Sequence, residues 1–85
     1  MSTSFLATEL DGEVVLLDVA EARLIQVDAW SRQAWEACEG RTTEEVAAVL
    51  RASVKRVREA LQALARTGLV SEDQGRWLRA ALRWV

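Results

Sequence analysis

The sequence predicts an α+β fold: an N-terminal three-stranded antiparallel sheet, then three helices, then a short C-terminal extension that is either a helix or a wing strand. Three observations predict it. Asp11-Gly12 separates two apolar runs by the two residues that a tight hairpin requires. At Asp28 the spacing of apolar residues changes from two to between three and four, the period of a helix. Gly12, Gly40, Gly68 and Gly75 stand singly between the periodic runs, where turns and helix ends are expected.

The elements follow in order. Phe5 to Leu10 and Glu13 to Asp18 form the hairpin, and the β-branched, roughly alternating run Arg23-Leu24-Ile25-Gln26-Val27 adds a third strand as a meander, so that the sheet covers residues 5–28. The free side of that third strand is a sheet edge, whose unpaired backbone groups must be blunted or used. Asp28 is placed to cap helix one, in which Trp30, Ala34, Trp35 and Cys38 share a stripe until Gly40. Thr42-Thr43-Glu44-Glu45 is a capping box that opens helix two, about 43 to 51, with Val46, Val49 and Leu50 on one face. Ser53 caps helix three, whose stripe is Val54, Val57, Leu61 and Leu64 and whose end is Thr67-Gly68, which completes the helical region 29–67. Lys55, Arg56, Arg58 and Arg66 lie off that stripe.

Two helices joined by a tight connection, the second rich in bases, outline a helix-turn-helix, and the extension 69–85 would complete a winged variant. Leu69-Val70 and Ser71-Glu72-Asp73-Gln74-Gly75 read as a short strand and a turn. Beyond them Trp77, Leu78, Ala81, Leu82 and Val85 fit a helical stripe with Arg76, Arg79 and Arg83 opposite, which favours a terminal helix; a wing strand would instead align Leu78, Ala80, Leu82 and Trp84.

Composition bounds the function. At 85 residues, 51% hydrophobic and 28% charged, the chain fits a single domain spanning 1–85 with one modest core, burying roughly 60 to 65% of its unfolded surface. The net charge of −2 conceals two unequal halves. Residues 1–50 hold ten acids against three arginines, a net of −7, and residues 51–85 hold eight bases against three acids, a net of +5. Such a division suits a nucleic-acid footprint, paired faces or the steering of a charged peptide, and equally suits ordinary solvated faces.

The chain has no His and a single cysteine, Cys38, so an internal disulfide is impossible and a zinc site would lack its usual ligands. Residues 1–5 carry no basic segment before an apolar run, and no stretch approaches the roughly 18 apolar residues of a membrane span, so the expected location is the cytoplasm. No Gly-rich phosphate loop is present, and no cofactor or metal is expected. Catalysis is not expected either. The carboxylates Asp11, Asp28, Glu45, Glu72 and Asp73 sit at caps and turns, and Cys38 falls on an apolar stripe with no His to activate it.

The order and spacing of Asp11-Gly12-Glu13-Val14-Val15-Leu16-Leu17-Asp18, Leu24-Ile25-Gln26-Val27-Asp28, Trp35, Gly40-Arg41-Thr42-Thr43-Glu44-Glu45-Val46 and Leu61-Gln62-Ala63-Leu64-Ala65-Arg66-Thr67-Gly68-Leu69-Val70 resembles the PqqD-like family. These are the peptide-recognition domains of pathways that modify ribosomally made peptides. The resemblance covers about residues 10 to 70. The family usually has Asn where this chain has Asp28, a change that keeps the capping role, and often a Gly and an aromatic around residues 22 to 25, where this chain has Ala22 and Ile25. As a small free-standing domain rich in arginine, the chain looks most like the discrete leader-binding protein of lasso peptide pathways.

The resemblance implies that a precursor's leader segment is bound as an added strand, in a groove between the third strand and the third helix. On the strand it points to Arg23, Leu24, Ile25, Gln26, Val27 and Asp28, and on the helix to Val54, Arg58, Leu61, Gln62 and Ala65. It further implies a leader peptidase and then a cyclase as partners; outside the resemblance, the Trp- and Arg-rich tail offers Trp77, Arg79 and Trp84 as a docking surface for the peptidase. The alternatives are a winged-helix DNA-binding regulator using Lys55, Arg56, Arg58 and the tail arginines, a PqqD-like chaperone for a radical SAM or other peptide-modifying enzyme, and a structural accessory subunit.

Overall fold

The computed structural model describes residues 5–84; the reading of residues 1–4 and the place of Val85 in the tail stripe lie outside them. The elements run β1 (Phe5–Leu10), β2 (Glu13–Asp18), β3 (Arg23–Val27), α1 (Ala29–Ala37), α2 (Thr43–Leu50), α3 (Val54–Arg66), β4 (Val70–Asp73), β5 (Arg76–Arg79) and β6 (Leu82–Trp84). The fold is α+β, as the sequence predicts. The chain forms two compact units, one holding β1–β3 and β6, the other spanning Trp30–Ala80.

The first unit is a four-stranded sheet in the order β3-β2-β1-β6. β1 and β2 meet at Asp11-Gly12, where both residues take positive φ (53° and 82°), the conformation that lets a two-residue turn follow the twist of its strands. Alternation then sorts the side chains. Phe5, Ala7, Val14, Leu16 and Val27 are buried, and their neighbours in sequence face the other way. The β2–β3 turn is held by the buried Asp18, whose carboxylate accepts the Glu21 N–H at 3.2 Å and lies 3.6 Å from the Arg23 guanidinium.

The second unit is a helix-turn-helix followed by a wing. The capping box forms as expected: Thr42 Oγ1 accepts the Glu45 N–H at 3.2 Å and Glu45 accepts the Thr42 N–H at 2.9 Å. Ser53 caps α3 by accepting the Arg56 N–H at 3.1 Å, and Val57, Ala60, Leu61 and Leu64 form its buried stripe. Arg51, with φ 55°, ends α2 in the left-handed conformation and turns the chain into α3.

The expectation of a terminal helix is overturned. Residues 76–79 form β5, which pairs antiparallel with β4 across Gln74-Gly75 (φ 53° and 80°), and residues 82–84 form β6, parallel to β1. The cause is tertiary. Trp77 donates its N–H to the Arg41 carbonyl (2.9 Å) and accepts the Gly40 N–H (2.8 Å), while its indole N–H donates to Thr43 Oγ1 at 2.9 Å. Continuing a helix through Trp77 would direct those backbone groups to residues four positions away and strand the indole. Trp35 adds a tie at the start of the wing, its indole N–H donating to the Leu69 carbonyl at 3.1 Å. Among the described residues no helix is long and apolar enough to cross a membrane.

Candidate functional site: the open edge of the sheet

A sheet has two sides along which backbone groups can be left unpaired. Here one is covered by the chain itself: β6 lies alongside β1 in the register Phe5↔Leu82, Leu6↔Arg83, Ala7↔Trp84. On the other side β3 pairs, among the described residues, with β2 alone, in a ladder from Val14↔Val27 to Asp18↔Arg23. β3 thus presents five consecutive residues of edge. It carries neither proline nor lysine, the residues that commonly blunt an edge, and its one charged residue, Arg23, stands at its end beside Asp18.

The expected strand residues divide by face. Arg23, Ile25 and Val27 share one face, on which Ile25 is half-buried and Val27 buried. Leu24 and Gln26 share the other; Leu24 is 76% exposed, and the Gln26 side-chain amide donates to the Glu13 carboxylate on β2. Asp28 follows, exposed, immediately before α1. Val27 can therefore offer a ligand its backbone but little side chain.

On α3, Arg58, Gln62 and Ala65 are exposed and spaced to share one face, and Val54 is half-buried. Leu61, expected beside them, has no exposed surface and serves the core. Arg58 lies 3.7 Å from Glu44, an exposed pair that salt would screen.

The expected docking trio does not hold together. Trp77 is 4% exposed and saturated with hydrogen bonds, so it is an internal anchor and not a surface. Arg79 is stacked 4.6 Å over the Trp35 ring and lies 3.9 Å from Glu39, which also accepts the Arg79 N–H at 2.6 Å. Trp84, on β6, is half exposed.

Sequence reasoning missed a feature of the sheet's outer face. Leu6, Leu17 and Leu24 align in one cross-strand row, and with Ala7, Thr8 and Val15 they line a shallow apolar depression of about 250 Å³. The signal was present: β1 and β2 carry apolar residues at both odd and even positions, whereas a sheet solvated on one face alternates apolar with polar.

Cys38 is fully buried, its thiol donates to the Trp35 carbonyl at 3.2 Å, and burial pushes its pKa up to about 11 against the opposing pull of Arg79. The Thr42 N–H, aided by Arg76, holds the Glu45 carboxyl below the ordinary glutamate value. Among the described residues no cluster of His, Cys, Asp and Glu could hold a metal ion. Compared with known proteins, the chain matches no family model, no curated protein and no solved structure.

Proposed function

We propose that this chain is a peptide-binding protein of the PqqD-like kind. It captures the leader segment of a ribosomally made precursor as an added strand on the β3 edge and delivers it, in the cytoplasm, to a leader peptidase and then a cyclase of a lasso-type pathway. One observation carries the reading: β3 is an unblunted five-residue edge in a sheet whose other side the chain covers with its own β6. Strand addition uses that kind of edge, drawing affinity from main-chain hydrogen bonds and selectivity from alternate side chains. Ala22 adds support. It takes a left-handed backbone, φ 53°, just before β3, in the region where the family often carries glycine.

The chain performs no bond chemistry in this role. Holding the leader makes encounter between the core peptide and a docked enzyme effectively intramolecular, which raises its local concentration. Arg58, Gln62 and Ala65 present a mixed surface in the second unit that suits an acidic or amphipathic segment, with charge contributing mainly to the rate of encounter.

The second reading, DNA binding, is favoured by the helix-turn-helix with Lys55, Arg56, Arg58 and Arg66 on α3. Against it, Arg56 is stacked 4.0 Å over Trp30, Arg58 pairs with Glu44 and Arg76 pairs with Glu45 at 3.1 Å, while Glu72 and Asp73, beside the wing turn, are exposed acids. Phosphate contacts need cations free to displace counterions.

The test is a tryptophan-fluorescence titration of the full chain with synthetic peptides tiling the leader of a precursor encoded beside its gene. Each binding peptide is then N-methylated at one backbone nitrogen at a time. Strand addition predicts loss of binding at alternate residues, whose N–H groups face β3, and tolerance at those between. Loss without that period of two, or no saturable binding by any leader peptide, would overturn the reading.

A further inference from the structure

The outer face of the sheet continues to the β3 edge. The row Leu6–Leu17–Leu24 ends there on the most exposed of its three leucines, Leu24 at 76%, and at its other end meets Arg83 of β6. Any strand that pairs with β3 places every second side chain on this same face, and the one opposite Leu24 has its Cβ about 5 Å from that of Leu24. An apolar side chain at that position of an added strand would extend the row by one member.

We infer that the outer face is a specificity determinant: the bound peptide carries a large apolar residue in register with Leu24, packed against Leu24 at the rim of the depression. The inference rests on the strand-addition reading and names the peptide class that it takes. The preferred segment thus has a large apolar residue opposite Leu24. A second copy of the chain is the poorer occupant. The depression has six lining residues, while a stable interface engages roughly 20–30 residues a side.

The experiment selects a displayed library of random twelve-residue peptides on the full chain and, separately, on Leu24→Glu. The exposure of Leu24 leaves the fold of the variant intact, which circular dichroism checks. On the native chain the enriched peptides share a large apolar residue at one position; on Leu24→Glu that same position changes to Lys or Arg. A native-selected peptide binds the variant roughly ten-fold more weakly, as expected when a side chain of Leu size loses its apolar neighbour. Backbone N-methylation of the selected peptides separates the two readings. A period of two with no change of preference on Leu24→Glu overturns the outer-face determinant and leaves strand addition standing. Absence of the period overturns both, as does failure to enrich any peptide on the native chain.

Discussion

Trp77 decides whether the C-terminal segment is anchored or presented, and a double-mutant cycle with Thr43 measures it. The indole N–H donates to Thr43 Oγ1 at 2.9 Å and both residues are buried, at 4% and 6% exposure. Trp77→Phe removes the donor, orphans the hydroxyl and sheds part of the ring, which together cost about 2–3 kcal/mol. Thr43→Val keeps the shape but leaves the indole N–H unpaired, at about 1–2 kcal/mol. With both changed, no polar group is left buried and unpaired, so the double variant is little worse than Trp77→Phe alone and the coupling is about 1–2 kcal/mol. The assay is urea unfolding followed by circular dichroism; for a chain this small Trp77→Phe should also lower Tm by roughly 10–20 °C. Single-variant costs that add to within about 0.5 kcal/mol would refute the anchoring argument. So would a Trp77→Phe variant that keeps native stability and loses only partner binding, since that is the behaviour of a docking residue.

Three further outcomes follow from local features. Ala22 holds a left-handed backbone, so Ala22→Gly should raise stability by about 0.5–1 kcal/mol in the same urea assay. Cys38 has a folded-state pKa of about 11, above its unfolded value near 9, so the folded state holds that proton more tightly. Its contribution is complete below pH 9 and is lost as pH rises to 11, a fall of about 2 kcal/mol that Cys38→Ala should abolish; at pH 8 a thiol reagent should label the folded chain far more slowly than the denatured chain. Thr42→Ala removes the N-cap of α2 and should cost about 1 kcal/mol by thermal melting, with peptide binding retained.

The parts of the fold that were legible in the sequence are those set by neighbours in the chain. Asp11-Gly12 specifies its own turn, Thr42 and Glu45 satisfy each other three residues apart, and Ser53 caps the helix that it begins. The wing was not legible, because Trp77, Leu78, Ala81 and Leu82 are spaced for a helix and the groups that overrule that spacing lie about 35 residues away, at Gly40, Arg41 and Thr43. The short strand and turn over residues 69–75 are legible, but Gln74-Gly75 lacks the Asn or Asp that marks a two-residue hairpin, so nothing local specifies a returning strand. The site divided the same way. β3 is legible from its alternation, whereas Leu61 lies on the apolar stripe of α3 and belongs to the core, and the Leu6–Leu17 part of the outer row is hidden because apolar residues occupy both faces of β1 and β2.

The two sides of the sheet argue together for use and against neglect. β6 shows that this sheet accepts a short strand at its boundary: three residues, Leu82–Trp84, add to β1 in parallel, with Leu82 half-buried opposite the buried Phe5. β3 is longer, and its Leu24 is the most exposed large apolar residue described. An edge of this composition left open invites pairing with any chain that can extend, and proteins ordinarily suppress that with a charge, a proline or a bulge. Here the only charge on the strand is held beside Asp18, at the end farthest from Val27. Leaving the centre of β3 unprotected carries a risk of aggregation, which the strand addition proposed above would remove. Adding a single lysine at Leu24 should therefore reduce both peptide binding and any tendency of the free chain to self-associate, a pair of effects read by titration and by light scattering; loss of neither would mean that the edge is not what governs this surface.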